Sequence, residues 1–435
     1  MEIQLRQDNR PSLSGFAGLG YLPKTYVALA WIVALAGAGL MCRAQAQEDH
    51  HHRPRVGDTL VWNGHEFAPQ AKAVLEVRDY DGAGVDCTGW TDSSPFLNSI
   101  TATPDPTGTS LTISTRDCPH LRADGWRVTG QEYLEIDLGP MGPGTRAQGG
   151  TWLFGCLGSG AVLTIDSSGY TKVHGGAIAA NSVQCPNHTS SLTSSIRYTN
   201  SGVAGGFTST HNTLADTFLT SGVSGESISG YHAYEIIGPP NQEEYRLENV
   251  LMGCQNSPKS AGFYSNDPNA DSTTWEFGGA QGCYRMIQID AGRLRLLHTN
   301  NSYNGSFSIF GPGGASIALT GGCVTEIVEN AFAEGSAALI LAATQGSFGC
   351  SSYMRGNQAS PSDFDPSVHF IETGYLQGTL VLQLNSFSLG HSPAILGNGI
   401  VGSLPYGGAG LVQVLDQGGN GLTNDAGQSY TLTAP

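Results

Sequence analysis

The sequence predicts an all-β solenoid, and three observations carry that prediction. Only 13% of the 435 residues are charged, while 60 are Gly and 21 are Pro. An ordinary globular domain has roughly 25% charged residues, so a helical bundle with solvated faces is disfavoured. Short apolar strands recur at a near-constant step: Trp275-Glu276-Phe277, Leu294-Arg295-Leu296, Ile317-Ala318-Leu319 and Leu339-Ile340-Leu341 begin 19, 23 and 22 residues apart. A second series keeps the same beat, with Ile287-Gln288-Ile289, Phe307-Ser308-Ile309 and Glu326-Ile327-Val328. Gly, Asn and Ser turns separate these strands. No single unit of that length buries a core, whereas stacked units build a continuous one.

The chain opens differently. Tyr26 to Met41 is an apolar run preceded by Lys24 and followed by Ala44-Gln45-Ala46, the small-x-small form of a signal-peptidase site. Residues 1–46 are expected to be a signal peptide, which makes the chain secreted or cell-surface. The run of 16 residues is short of a membrane span, which needs about 20, so no membrane association is expected after processing. Cleavage removes Arg6, Arg10, Lys24 and Arg43 with Glu2 and Asp8, taking the net charge from −16 to −18. Such a surface repels phosphate backbones, and nucleic acid is excluded as a partner.

Eight cysteines remain after cleavage: Cys87, Cys118, Cys156, Cys185, Cys254, Cys283, Cys323 and Cys350. An even count in an exported chain points to disulfides. No C-x-x-C pair or zinc-type Cys/His spacing occurs, and His50-His51-His52 lies in a polar tail without a rigid frame. No metal and no cofactor is expected.

Residues 47–73 form a polar linker and a small strand module, with Asn63-Gly64 as the turn of a hairpin inside Gly57 to Gln70. That stretch, GDTLVWNGHEFAPQ, resembles the short repeats found ahead of the main domain in phage tail fibres, with Phe67 where a second Trp usually stands. The solenoid domain occupies residues 74–435. Its opening carries Val77, Asp79, Tyr80, Gly82, Ala83, Gly84, Asp86 and Asp92, then Phe96 or Leu97 and Ile100 on one helical face. This resembles the start of pectate-lyase-like proteins, apart from an extra Asp81 and an inserted Cys87-Thr88-Gly89-Trp90. The resemblance implies a single-stranded right-handed parallel β-helix with a short N-terminal capping helix, whose aspartates shape turns and caps. Leu134-Glu135-Ile136, Val162 to Ile165 and Ile236-Ile237 fit the strand grammar, while Asn187 to Asn212 and Tyr353 to Ser367 read as loops. The tail shows no second cap, and an open strand edge points to homo-oligomerisation or docking.

The resemblance implies recognition and cleavage of an extracellular or cell-surface polysaccharide. Polygalacturonase signatures are missing, since Gly390-His391 runs into Ser392-Pro393 and no Arg-x-Lys occurs. Glycoside hydrolysis is preferred to lyase chemistry because carboxylates outnumber basic groups 34 to 16 after cleavage. Glu276, Asp290 and Glu326 are the candidate catalytic carboxylates, since stacked strands place side chains at multiples of about 4.8 Å, the range that two-carboxylate hydrolysis uses. Arg295, Tyr264 and Tyr303 are the candidate substrate-binding residues. Glu276 and Arg295 are expected side by side on equivalent strands, where an exposed ladder ion pair is the simpler role. Arg293, Arg295 and His298 form the alternative basic set of a lyase. Tyr231, Tyr234, Tyr245 and Tyr284 serve either as stacking platforms for sugar or as core. The rival class is a non-enzymatic surface fibre or adhesin, favoured by the fibre-like module and the missing signatures.

Pairing the cysteines in order gives Cys87–Cys118, Cys156–Cys185, Cys254–Cys283 and Cys323–Cys350, at separations of 31, 29, 29 and 27 residues. Each pair then joins adjacent coils, about 4.8 Å apart, within the roughly 4.4–6.8 Å that a disulfide spans between Cα atoms. Non-reducing peptide mapping is expected to recover Cys323–Cys350 as a linked peptide. A dominant Cys283–Cys323 species would place the coils in another register.

Overall fold

A computed structural model describes residues 59–62, 67–70, 73–77, 85–104, 110–141, 150–180, 185, 191–202, 211–221, 232–238, 244–268, 270, 272–302, 315–319, 321–333, 340–342, 350–360, 371–373, 378–390, 395–397, 412–416, 421–424 and 429–430. The expected signal peptide, His50 to His52, Asn63-Gly64, Tyr231 and Tyr303 lie outside the described residues. Among those described, no helix is long and apolar enough to cross a membrane.

The chain divides into two compact units at Ala71 and Lys72. In the first, Thr59–Trp62 and Phe67–Gln70 pair antiparallel, with Trp62 opposite Phe67. The second is a right-handed parallel β-helix. Each coil contributes to three parallel sheets in turn. Sheet 1 includes Leu111–Ser114, Leu134–Asp137, Lys172–His174, Asn212–Ala215, Arg293–Leu297 and Cys323–Val328. Sheet 2 includes His120–Arg122, Trp152–Phe154, Ala177–Ala180 and Phe218–Ser221. Sheet 3 includes Trp126–Thr129, Ala161–Asp166, Ser194–Thr199, His232–Ile237 and Ala315–Leu319. The long strands Tyr245–Asn266 and Thr273–Ala291 bend through all three.

Strand alternation sends every second side chain inward, and parallel register puts each on its counterpart in the next coil. In sheet 1 one such column runs Ile113, Ile136, Val173, Leu214, Leu247, Trp275, Leu296, Ile327 and Met354, all fully buried. Tyr198, Tyr234 and Phe263 stack similarly behind sheet 3, so Tyr234 and Tyr245 are core residues. Helix α1, Ser94–Thr101, closes the N-terminal end: Leu97 is buried, and Trp126 Nε1 donates to Thr101 Oγ1 at 2.9 Å. Asp92 Oδ1 accepts from the backbone N–H groups of Ser94 and Asp124, each at 2.9 Å. Asp86 accepts from Thr88 and Thr91. Against a desolvation that raises it, these bonds hold its carboxyl at about 2.

The bend between sheets 1 and 2 has its own chemistry. One residue per coil takes a left-handed conformation there: Asp216, Asn249, Phe277, His298, Glu329, Gly356 and Leu384, with φ between 49° and 65°. The next residue points into the core, and in consecutive coils it is Thr299, Asn330, Asn357 and Asn385, all buried. Thr299 Oγ1 donates to Asn330 Oδ1 at 2.7 Å, Asn330 Nδ2 to Asn357 Oδ1 at 3.0 Å, and Asn357 Nδ2 to Asn385 Oδ1 at 2.8 Å. Each amide also donates to the carbonyl oxygen of a residue in the preceding coil, Leu296, Ile327 or Met354.

Three disulfides join adjacent coils: Cys87–Cys118, Cys156–Cys185 and Cys254–Cys283, with Cα separations of 4.6, 5.2 and 4.7 Å. Cys323 is disulfide-bonded as well; the side chain of Cys350 lies outside those described.

The coils differ from the expected ones in length and phase. Sheet 1 strands recur after as few as 20 residues, from Thr273 to Arg293, and as many as 40, from Lys172 to Asn212. Ile317 to Leu319 pair with Ile287 to Ile289 in sheet 3, and Ile340 pairs in turn with Ile317, so they do not continue the Trp275 and Leu294 series. Glu326 to Val328 belongs to sheet 1, and Phe307 to Ile309 lies outside the described residues. Among the described residues, the coils between the two ends carry three strands each, so a step between different sheets mimics a repeat. Two expected loops also contain strands. Ser194–Thr199 directs Ile196 and Tyr198 inward despite its Ser/Thr content, and Cys350–Arg355 and Gln358–Ser360 extend sheets 1 and 2. At the other end, Ser429–Tyr430 folds back antiparallel on Gly421–Asn424.

Asn357→Ala removes the middle of the amide ladder and leaves buried partners on both sides unsatisfied, at about 1–3 kcal/mol for each such group. Urea unfolding is expected to show a loss of that order with little change in slope. An unchanged midpoint would mean that the ladder adds nothing.

Candidate functional site

The expected site residues fall on two different faces. Glu276, Arg295 and Glu326 stand on sheet 1, whereas Tyr264 and Asp290 belong to the sheet 3 portions of the two long strands. The expected Glu276–Arg295 pairing does not form. Arg295 lies opposite Thr274, and Glu276 opposite Leu297. The physical reason is that Thr273 and Trp275 take the inward positions, while Phe277 sits at the left-handed bend and is 52% exposed. Arg295 instead donates to Glu326 at 2.9 Å, and Glu276 stands 4.0 Å from Arg246, which also holds Glu248 at 2.6 Å. These groups are half-exposed ladder pairs. His298 stacks on Phe277 at 5.5 Å and faces Glu329 at 3.4 Å, so it turns away from the arginines.

Sheet 3 does bring Tyr264 and Asp290 together. The phenol donates to Asp290 Oδ2 and the Gln288 amide to Oδ1, both at 2.9 Å. Burial first, then Asp290, pushes the Tyr264 phenol well above its ordinary range. His232 stacks on the Tyr264 ring at 4.2 Å, and one coil back the buried Glu235 is held by Arg197 at 2.7 Å and by the Ser194 hydroxyl. A carboxylate buried like Glu235 requires such partners, and they occupy the face it presents.

The most chemically loaded group lies elsewhere, on the outer face of sheet 1 near the N-terminal end. Glu135 and Asp137 occupy adjacent outward positions of Leu134–Asp137, and His174 sits directly on Asp137 in the next coil. His174 Nε2 is 2.9 Å from Glu135 Oε1, and its Nδ1 is 3.8 Å from Asp137 Oδ1. Asp137 also takes Arg116 Nε at 2.6 Å and the Gly139 N–H at 2.9 Å. The Thr112 hydroxyl donates to Glu135 from the preceding coil at 3.3 Å. Side-chain exposures of 22% for Glu135, 12% for Asp137 and 20% for His174 keep the group partly desolvated yet reachable. Burial lowers the His174 pKa; Lys172 and Arg116 add to that effect, and Asp137 and Asp216 oppose it.

Glycine positions this group. Gly175 follows His174 with φ +79°, and a Cβ there would stand 1.6 Å from the Gly139 carbonyl oxygen. Only glycine lets the two coils close at that bend and hold His174 over Asp137. Three aromatic residues line the neighbouring corner, Tyr133, Tyr170 and His211, with ring separations of 5.0 and 4.7 Å. The strand alternation in Leu134-Glu135-Ile136 and Lys172-Val173-His174 was a visible signal, but the 38 residues between Leu134 and Lys172 conceal that they are neighbours.

No family model and no curated protein matches the chain. Solved structures resemble the chain at low similarity. Tailspike protein 2 of bacteriophage CBA120, in its enzymatically active domain, is 10% identical with a TM-score of 0.48, covering 83% of this chain and 49% of that one. The full-length tailspike protein 2 from an Escherichia coli O157:H7 bacteriophage is 10% identical with a TM-score of 0.49, covering 77% and 42%. An endo-xylogalacturonan hydrolase from Aspergillus tubingensis is 11% identical with a TM-score of 0.32, covering 83% and 99%. The chain spans about half the length of the tailspike chains it matches.

Glu276→Ala is expected to lower stability by no more than about 1 kcal/mol, as for other exposed ion pairs, and to leave the melting curve otherwise unchanged. A larger loss would give Glu276 a role beyond its contact with Arg246.

Proposed function

We propose that the chain is an exported protein that binds an extracellular or cell-surface polysaccharide along the outer face of sheet 1 and hydrolyses it there. The observation that carries this reading is the Glu135–His174–Asp137 group, two carboxylates on either side of one imidazole. Adjacent outward positions of a strand are about 6.6 Å apart, near the carboxyl separations of roughly 6.5–9.5 Å that inverting hydrolysis uses, with the imidazole lying between the two groups. Asp137, braced by Arg116 and Gly139, is positioned to take a proton from a water on the solvent side of the imidazole as that water's oxygen bonds to the anomeric carbon. Glu135 shares protons with His174, and this pair gives one to the leaving glycosidic oxygen as the C–O bond breaks.

Hydrolysis suits the site better than elimination. A lyase would have to neutralise a uronate carboxylate with Lys172, exposed opposite Glu135, since Arg116 already binds Asp137, and the two carboxylates beside the imidazole oppose a uronate there. Asp290 with Tyr264 on sheet 3 and Glu326 with Arg295 further along sheet 1 stand apart from this group and are proposed as outlying contacts for substrate or partner. Tyr303 stays a candidate sugar contact. The rival reading, a surface fibre or adhesin without activity, is favoured by the hairpin of Thr59–Trp62 and Phe67–Gln70 and its fibre-like sequence.

A glycan panel assayed for reducing ends and for unsaturated products tests the reading. Glu135→Gln and Asp137→Asn are each expected to lower kcat by about 10²–10⁴-fold, the usual weight of a proton-transferring group, with little change in KM. The pH profile carries a sign. The acid form requires the Glu135–His174 pair to hold its second proton, and His174 binds that proton only below its ordinary value of about 6.5. The alkaline limb of kcat/KM is therefore expected below that pH and should move in His174→Ala. Unsaturated products with an acid limb instead would identify a lyase, and binding without any product would identify the fibre.

A further inference from the structure

We propose that Tyr133, Tyr170 and His211 form a rail that holds a neutral, extended polysaccharide parallel to the solenoid axis; this deepens the reading of sheet 1 as the glycan-acting face and names the substrate class. The three residues occupy the same corner of successive coils, just ahead of the sheet 1 strands Leu134–Asp137, Lys172–His174 and Asn212–Ala215. Their rings stack nearly parallel, at 5.0 Å and 26° for the tyrosines and 4.7 Å and 5° for Tyr170 and His211. The stack follows the coil-to-coil direction, so the ring planes lie across the axis. Tyr133 and Tyr170 are 42% and 43% exposed.

Spacing identifies the occupant. One polar ring edge recurs per coil, about every 4.8 Å, and an extended glycan advances by nearly the same distance per pyranose. A chain lying on the corner therefore offers a hydroxyl to each ring in register, over three coils. All three residues take left-handed φ values of 57°, 52° and 54°, so the corner has the same backbone shape in each coil and presents the three rings alike.

Charge narrows the class. Glu132 neighbours Tyr133, and burial first, then this carboxylate and Tyr170, raise the Tyr133 phenol above its ordinary range, which keeps it a hydrogen-bond donor. At the other end Glu244 lies 3.1 Å from His211. Carboxylates at both ends repel a polyuronate and tolerate a neutral chain. The rail also borders the reaction centre, since Tyr133 precedes Glu135 by two residues, about 6.6 Å along the strand.

Affinity electrophoresis of the secreted chain, in gels containing a soluble β-glucan, a galactomannan or a dextran and in gels containing polygalacturonate or alginate, tests the rail. The wild type is expected to be retarded by at least one neutral polymer and by neither acidic one. Tyr170→Ala should weaken that retardation at least tenfold, and Tyr170→Phe, which keeps the ring and removes the hydroxyl, should weaken it less. A matched melting curve for Tyr170→Phe keeps the comparison valid if the alanine variant folds poorly. A wild type that is retarded by a neutral polymer but releases no product from it sinks the hydrolase reading and leaves the rail standing. Equal retardation of wild type and both Tyr170 variants, retardation by the acidic polymers, or no retardation by any neutral polymer would overturn the rail.

Discussion

In-register parallel stacking is the constraint on which everything else in this molecule depends. Coils repeat at the strand spacing of about 4.8 Å, so each side chain sits on its counterpart in the next coil, and a choice made in one coil binds the next. An apolar column from Ile113 to Met354 satisfies that condition easily. A polar group drawn into the interior satisfies it only if its counterpart can complete the hydrogen bond. The Thr299, Asn330, Asn357 and Asn385 series does so because one amide both accepts from the coil before and donates to the coil after. The ladder thus keeps a sharp bend at the same place in coil after coil, and the bend fixes where sheet 1 ends.

The same rule builds the Glu135–His174–Asp137 group. Glu135 and Asp137 are two outward positions on one strand, and His174 is the outward residue above Asp137. Neither coil alone places an imidazole between two carboxylates. Gly139 and Gly175 supply the close approach that aligns them, and Arg116 from the previous coil braces the outer carboxylate. The aromatic corner at Tyr133 and Tyr170 obeys the same coil-to-coil register.

Fold class was legible because it rests on composition and strand alternation, which survive any error in phase. The capping helix was legible for a local reason: Asp92, Ser93, Ser94 and Pro95 carry its start within a few residues. Phase was not legible. Three sheets share one apolar pattern, and loops of unequal length separate them, so Trp275-Glu276-Phe277 aligns by eye with Leu294-Arg295-Leu296 although Thr274, not Glu276, faces Arg295. A buried threonine at 273 and an exposed phenylalanine at 277 both break the hydrophobic-in rule at that strand. The Tyr264–Asp290 contact was half visible, since both residues stood out singly, but only the register of two long bent strands joins them. Glu135, Asp137 and His174 were hidden for the same reason, because their proximity depends on which coil follows which.

The disulfides give this one-dimensional object a direction in which it comes apart. A solenoid frays from its ends, where a coil has a single neighbour. Cys87–Cys118 ties the first coils together beneath the capping helix, and Cys156–Cys185 ties the pair of coils that carry Asp137 and His174. Thermal opening from the N-terminal side therefore meets a covalent clasp before it reaches the coils of Glu135 and His174. The chain between those clasps behaves as a protected segment, able to keep its geometry while more distant coils breathe.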